Sequence, residues 1–201
     1  MEVYEYENYE EYVEAQTHFN KSKLSWSYFE TKKNGKEGPR KGIITIMASK
    51  YLGNISGDKN VICHGTRGGH EQKFFKSLYP KGDIVGTEIS ETATQFPMTV
   101  EWDFTKENYK WINKFDIVYS NSFDHTIDPQ ETLRVWHGQL KEGGFMFIEF
   151  SEHSAHTAQR SDPLKATFKE IEKLIIESNF EIAETQKIGP VSGNMYICRK
   201  V

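Results

Sequence analysis

At residues 60–71 the chain reads NVICHGTRGGHE. Val61, Ile62 and Cys63 form an apolar triplet that runs into a loop holding Gly65, Gly68 and Gly69. An apolar-periodic segment follows over 71–78. This order predicts a buried strand, a tight turn and a helix. In nucleotide-binding sheets that unit stands where a ligand meets the C-terminal edge of the first strand. An ordinary strand-to-helix turn uses the same residue types, so these twelve positions leave both readings open.

The rest of the chain supplies more of the pattern. Strand signals recur at 83–89, 97–104, 114–119, 144–150, 181–188 and 194–199. Helical periodicity separates most of them. One helix is expected over 43–52. Another opens at Asp128-Pro129, an acid at the cap and proline in the first turn. A third is read as starting at Asp162-Pro163, with Leu164, Phe168, Ile171, Leu174 and Ile175 on one face. Alternating strands and helices imply a parallel sheet flanked by helices. The last two strands are joined by the turn GPVSG and should be antiparallel to each other. The fold class is therefore α/β: a Rossmann-like, seven-stranded, mostly parallel sheet flanked by helices, with an antiparallel last strand.

Before this body, Tyr9, Tyr12, Val13, Gln16 and Phe19 recur at helical steps, and Trp26, Tyr28 and Phe29 extend the apolar side. Residues 32–42, KKNGKEGPRKG, read as a loop. The expected division is an arm and linker over 1–42 and a main domain over 43–201. The arm is either a packing element or a lid over a cleft.

Bulk properties exclude several classes. The 201 residues suffice for one domain with a substantial core. The net charge of −4 lacks the basic surplus of a sequence-independent nucleic-acid binder. No apolar run has the roughly 20 residues that cross a bilayer, and the acidic opening MEVYEYENYEEY does not resemble a secretory signal. Cys63 and Cys198 stand in separate runs without metal spacing, which suits a reducing, cytoplasmic setting. The expected partner is a small-molecule or carbohydrate substrate, with neither nucleic acid nor membrane. The oligomeric state is open.

Over about residues 43–201 the chain resembles the class I S-adenosylmethionine-dependent methyltransferases. The loop Gly65-Thr66-Arg67-Gly68-Gly69 carries the resemblance, with Glu88, 23 positions after Gly65, closing the second strand, and the terminal hairpin. The run LRVWHGQLKEGG before the fifth strand is also similar. The SNSFDH and EHSAH segments further resemble a branch associated with carbohydrate or surface-polymer synthesis. The family's loop usually reads acid-x-Gly-x-Gly-x-Gly. Here Cys63 stands in the acid's place and Arg67 in that of the middle glycine. The resemblance implies S-adenosylmethionine as cofactor. Gly65, Thr66 and Gly69 would let backbone approach it, and Arg67 would either meet its carboxylate or face solvent. Glu88 would hold the ribose hydroxyls, Ile89 and Phe104 would flank the adenine, and Asp103 would accept from its amino group. Ser120, Asn121 and Ser122 would line the methionine end.

Methyl transfer to a hydroxyl needs a base near neutrality, a role suited to histidine. His125 and Asp124 follow the fourth strand, and His153 and His156 follow the fifth, at the sheet edge where α/β ligands bind. His125, His153 and Asp124 are the expected catalytic residues. Asp124, His125, Asp128, Glu149, His153 and His156 are metal-ligating types without diagnostic spacing, and no metal is expected. Two other readings stay open: a methyltransferase-like binding module without catalysis, and a nicotinamide dehydrogenase, which shares the loop and Glu88 but not the end hairpin.

Overall fold

The computed structural model describes residues 1–24, 29, 32–33, 36–37, 39–53, 57–152, 158–188 and 193–201. Seven strands build the main sheet: β1 (Val61–His64), β2 (Ile84–Glu88), β3 (Thr99–Glu101), β4 (Phe115–Ser120), β5 (Leu140–Ser151), β6 (Phe180–Lys187) and β7 (Gly193–Lys200). Their order is β6-β7-β5-β4-β1-β2-β3. β3, β2, β1, β4 and β5 are parallel, and β7 is antiparallel to both β5 and the edge strand β6. The seven-stranded sheet and its closing hairpin are those expected from the sequence.

Among the described residues five α-helices accompany the sheet: α1 (Tyr9–Ser22), α2 (Pro39–Leu52), α3 (His70–Leu78), α4 (Pro129–Gln139) and α5 (Phe168–Glu177). The sheet is buried on both faces, which explains its near-continuous apolar strands. Ile62, Val118, Met146 and Ile148 point to the side of Leu133, Trp136, Ile171 and Ile175 from α4 and α5. Val61, Cys63, Ile117, Tyr119 and Phe147 point to the other side, with Ile44 of α2 and Phe75 of α3.

Four boundaries differ most from the sequence reading, and one is the third strand, expected over 97–104 and found only over Thr99–Glu101. α5 begins at Phe168, because Leu164 and Lys165 instead pair with Glu2 and Val3 in a short antiparallel ladder. Its cap is Thr167, whose hydroxyl accepts from the Glu170 amide while Glu170 reaches back, a capping box that overrides the Asp162-Pro163 signal. α2 begins at Pro39 and so takes in part of the segment read as a loop. β5 begins at Leu140, before the glycine pair, and its register with β4 shifts between Phe115 and Ile117.

The ends of β1, β2 and β4 share one edge. His64 lies opposite Thr87 and Ser120 in the ladder. That edge carries the glycine loop, Glu88 and the 120–125 segment.

Candidate functional site

Gly65 turns the chain out of β1. It has φ +70, and a Cβ there would stand 2.6 Å from Ser122 Cβ, so only glycine allows the loop to approach the end of β4 this closely. The amides of Gly65 and Thr66 both donate to the Thr87 carbonyl at 3.0 Å, which pins the turn to β2. Arg67 has φ 39 and Gly69, which caps α3, has φ 71. The non-glycine Arg67 thus holds the left-handed geometry that the loop requires at that position.

Glu88 is buried at the end of β2. Its carboxylate accepts from the Ser90 amide at 2.9 Å and the Arg67 amide at 3.1 Å. Burial pushes its pKa up, against those two amides, the Arg67 charge and Asn20. Asn20 of α1 donates to Glu88 Oε1 at 2.5 Å and accepts from Arg67 Nε at 3.2 Å. Asp103 accepts from the Thr105 amide at 2.8 Å and from the Tyr9 hydroxyl at 2.7 Å. Burial, then Asp103 itself, pushes the Tyr9 hydroxyl pKa up.

His125 ends a short 3-10 turn, Phe123–His125. Its Nδ1 lies 2.8 Å from Gln16 Oε1, an acceptor, so Nδ1 carries the proton and Nε2 is the basic nitrogen of the neutral ring. Nε2 faces Asp124 Oδ1 at 3.9 Å and Asp162 Oδ1 at 4.0 Å. Tyr12 donates to the His125 carbonyl at 3.2 Å.

One cleft therefore gathers Gly65, Arg67, Glu88, Ile89, Asp103, Phe104, Ser122 and His125 under Tyr12, Gln16 and Asn20 of α1. The space left free is about 30 Å³, room for a water or two. The remaining sequence candidates stand around it. Thr66 is buried against Gln72, whose amide reaches its hydroxyl at 3.2 Å. Gly69 caps α3. Ser120 is buried and ties β4 to β1 by donating to the His64 carbonyl at 3.2 Å. Asn121 donates to Glu71 Oε1 at 3.3 Å and accepts from the Ser122 hydroxyl at 3.1 Å. His153 and His156 lie outside the described residues, as do Trp26 and Tyr28.

Two sequence candidates serve the scaffold. Asp128 caps α4, accepting from the Glu131 amide at 3.0 Å. Glu149 is buried in an ion pair with Arg40 at 2.6 Å and accepts from the Tyr119 hydroxyl at 2.6 Å. Among the described residues, Asp124, His125 and Asp162 are the group whose ligand atoms come within 4.8 Å of one another. Sequence reasoning missed Asp162, Glu71 and Asn20. Asn20 was readable, since it lies one helical step beyond Gln16 on the Tyr9, Tyr12, Gln16 stripe. Asp162 and Glu71 carry no local signal.

No protein-family profile matches the chain, and no curated protein does. Solved structures do. A 1,6-didemethyltoxoflavin-N1-methyltransferase from Burkholderia thailandensis, solved with 1,6-didemethyltoxoflavin and S-adenosylhomocysteine, matches with TM-score 0.74 and 15% identity, over 98% of this chain and 92% of that one. A SAM-dependent methyltransferase from Aquifex aeolicus matches with TM-score 0.61 and 11% identity, over 78% and 89%. The [4+2]-cyclase SpnF matches with TM-score 0.63 and 11% identity, over 79% and 80%. Among the described residues no helix is long and apolar enough to cross a membrane. At these identities the likeness establishes architecture, and the architecture of this chain is the Rossmann-like fold of S-adenosylmethionine-dependent methyltransferases.

Proposed function

We propose that this protein is an S-adenosylmethionine-dependent methyltransferase that methylates a hydroxyl of a small-molecule or sugar-like acceptor. The observation that carries the reading is the convergence of Gly65, Glu88 and Asp103, from the ends of three separate strands, on one cleft. The donors and acceptors of that cleft fit an adenosyl group. Glu88 offers an acceptor-only carboxylate of the kind that pairs with two neighbouring hydroxyls. The Asn20 amide already occupies such a donor's place on Glu88. Asp103 is a second acceptor, now satisfied by the Tyr9 hydroxyl. Ile89 and Phe104 supply apolar wall between them. The Burkholderia structure, which spans nearly all of this chain's length, holds a small-molecule acceptor, and this supports an acceptor of that size.

When bound, S-adenosylmethionine supplies a methyl group already activated on a sulfonium. The chain must then orient the acceptor and take its proton. In this reading His125 is the base, accepting the hydroxyl proton at Nε2 while Gln16 holds Nδ1. Asp124 and Asp162 stabilise the charge that then appears on the ring. α1 acts as the lid, since its Asn20 and Tyr9 side chains occupy Glu88 and Asp103 and must swing aside before an adenosyl group can reach them, while Gln16 stays on His125.

The test is transfer of labelled methyl from S-adenosylmethionine to a panel of phenols, sugars and amines. Hydroxyl acceptors should be methylated, and His125→Ala should lower turnover by roughly 10²- to 10⁴-fold while cofactor binding persists. Full activity in both His125→Ala and His153→Ala would remove histidine from the mechanism. One observation favours a second reading: SpnF shares the fold and is a cyclase. A ligand-binding protein without methyl transfer predicts cofactor binding but no label on any acceptor.

A further inference from the structure

The cleft accounts for Glu88 and Asp103 but leaves a third acid unexplained. Glu71 lies in the first turn of α3, two residues past the Gly69 cap, and is 5% exposed. One carboxylate oxygen accepts from the Asn121 amide at 3.3 Å. The other, Oε2, is buried and has no hydrogen-bond partner among the described residues. A buried carboxylate oxygen without a donor is costly, and such groups are normally satisfied. The Arg40 guanidinium nearby is committed to Glu149.

Its position ties it to the glycine loop. Asn121, which holds Glu71, also accepts from the Ser122 hydroxyl at 3.1 Å. That same hydroxyl lies 3.1 Å from the Gly65 carbonyl and lines the cleft. Glu71, Asn121, Ser122 and Gly65 thus form one connected run from α3 to the cleft wall. The Glu71 charge is also felt at Cys63, whose thiol is held protonated by burial and then by that carboxylate. Position 63 is where the resemblance expects an acid and this chain has none.

We infer that Glu71 is a cation-binding group serving the cleft, and that it takes the α-ammonium of the cofactor's amino-acid end in place of the acid absent at position 63. The inference rests on the reading of the cleft as an S-adenosylmethionine site. An ammonium has three donors and a full charge, so it satisfies Oε2 and neutralises the buried acid together. Without a cation, burial holds the Glu71 carboxyl at about 7, with Glu149 adding to the rise and Arg40 opposing it. The groups that face it are Cys63 from β1, Tyr119 from β4, Asn121 just past its end, Glu149 from β5 and Arg40 from α2. Binding an ammonium therefore favours release of the Glu71 proton.

Calorimetric titration of the intact chain with S-adenosylhomocysteine and with 5′-methylthioadenosine, which lacks the amino-acid end, tests this. Glu71→Gln keeps the side-chain shape. It should weaken S-adenosylhomocysteine by roughly 10- to 100-fold and leave methylthioadenosine unchanged. An equal loss for both ligands, or for neither, overturns the role of Glu71 while the cofactor reading stands. If the wild-type chain binds neither ligand, both fall together. Should the variant fail to fold, the wild-type chain still decides. Its affinity for S-adenosylhomocysteine should rise between about pH 6 and about pH 8, as the carboxyl near 7 ionises, with methylthioadenosine flat. A flat response for both overturns the inference.

Discussion

His64, the last residue of β1, is used for structure. Its ring stacks on Trp136 at 4.9 Å and 15°. Nε2 donates to Gln139 Oε1 at 2.8 Å, so Nδ1 accepts from the Thr87 hydroxyl at 2.9 Å. Burial lowers its pKa from 6.5 to about 4, with Gln139 opposing. The folded chain then binds fewer protons here than the unfolded chain between those values. His64 stabilises fully above pH 6.5, and its contribution is lost as pH falls toward 4. Glu71 works the other way. Its pKa rises from 4.5 to about 7, so its contribution is full below 4.5 and is lost as pH climbs toward 7. Each shift is worth about 3 kcal/mol, and between pH 4.5 and 6.5 the two oppose. Glu71→Gln should unmask His64. Urea unfolding at both pH values should show the variant losing about 2 to 3 kcal/mol more than wild type on acidification. Parallel behaviour of the two proteins would contradict this. At this scale the placement of Gly65, Glu88 and Asp103 along one sheet edge was legible, because position relative to strand ends is a local property of the sequence. Glu71 was not, because an acid in a first helical turn is also an ordinary complement to the helix dipole.

Among the elements, α1 departs furthest from a passive role. Asn8 caps it by accepting from the Glu11 amide at 2.9 Å. Tyr9, Tyr12, Gln16 and Asn20 then reach Asp103, the His125 carbonyl, His125 Nδ1 and Glu88 in turn. A helix that satisfies the cleft's polar groups competes with any ligand that needs them, and displacing it lowers apparent affinity. Asn20→Ala should therefore tighten S-adenosylhomocysteine binding, by up to roughly tenfold for one charge-assisted bond. Weaker binding in calorimetry would instead make Asn20 a ligand contact. The sequence showed that this helix exists and that Tyr12 and Gln16 face inward, since three- and four-residue steps are a local property, while Tyr9 of the same stripe is exposed. What the face covers depends on pairing far along the chain. The same limit moved α5. Asp162-Pro163 has the chemistry of a helix start, yet the distant pairing of Leu164 and Lys165 with Glu2 and Val3 defers it to the Thr167 capping box.

For the whole molecule, the sheet was legible from alternation alone. Strands buried on both faces keep near-continuous apolar runs, and a turn in place of a helix before the last strand forces β7 to run antiparallel to its neighbours. The site was legible in part, because a parallel sheet brings its strand ends to one edge wherever they lie in the chain. No residue pattern in the sequence names an acceptor. The proposed function requires an adenosyl site at the sheet edge beneath α1. Calorimetric titration of the intact chain with S-adenosylhomocysteine tests that most directly, with a reduced nicotinamide dinucleotide as control. Binding is expected at one site per chain, with a loss of roughly 10- to 100-fold in Glu88→Gln and no heat from the nicotinamide. No heat from S-adenosylhomocysteine, or equal affinity in Glu88→Gln, would contradict it.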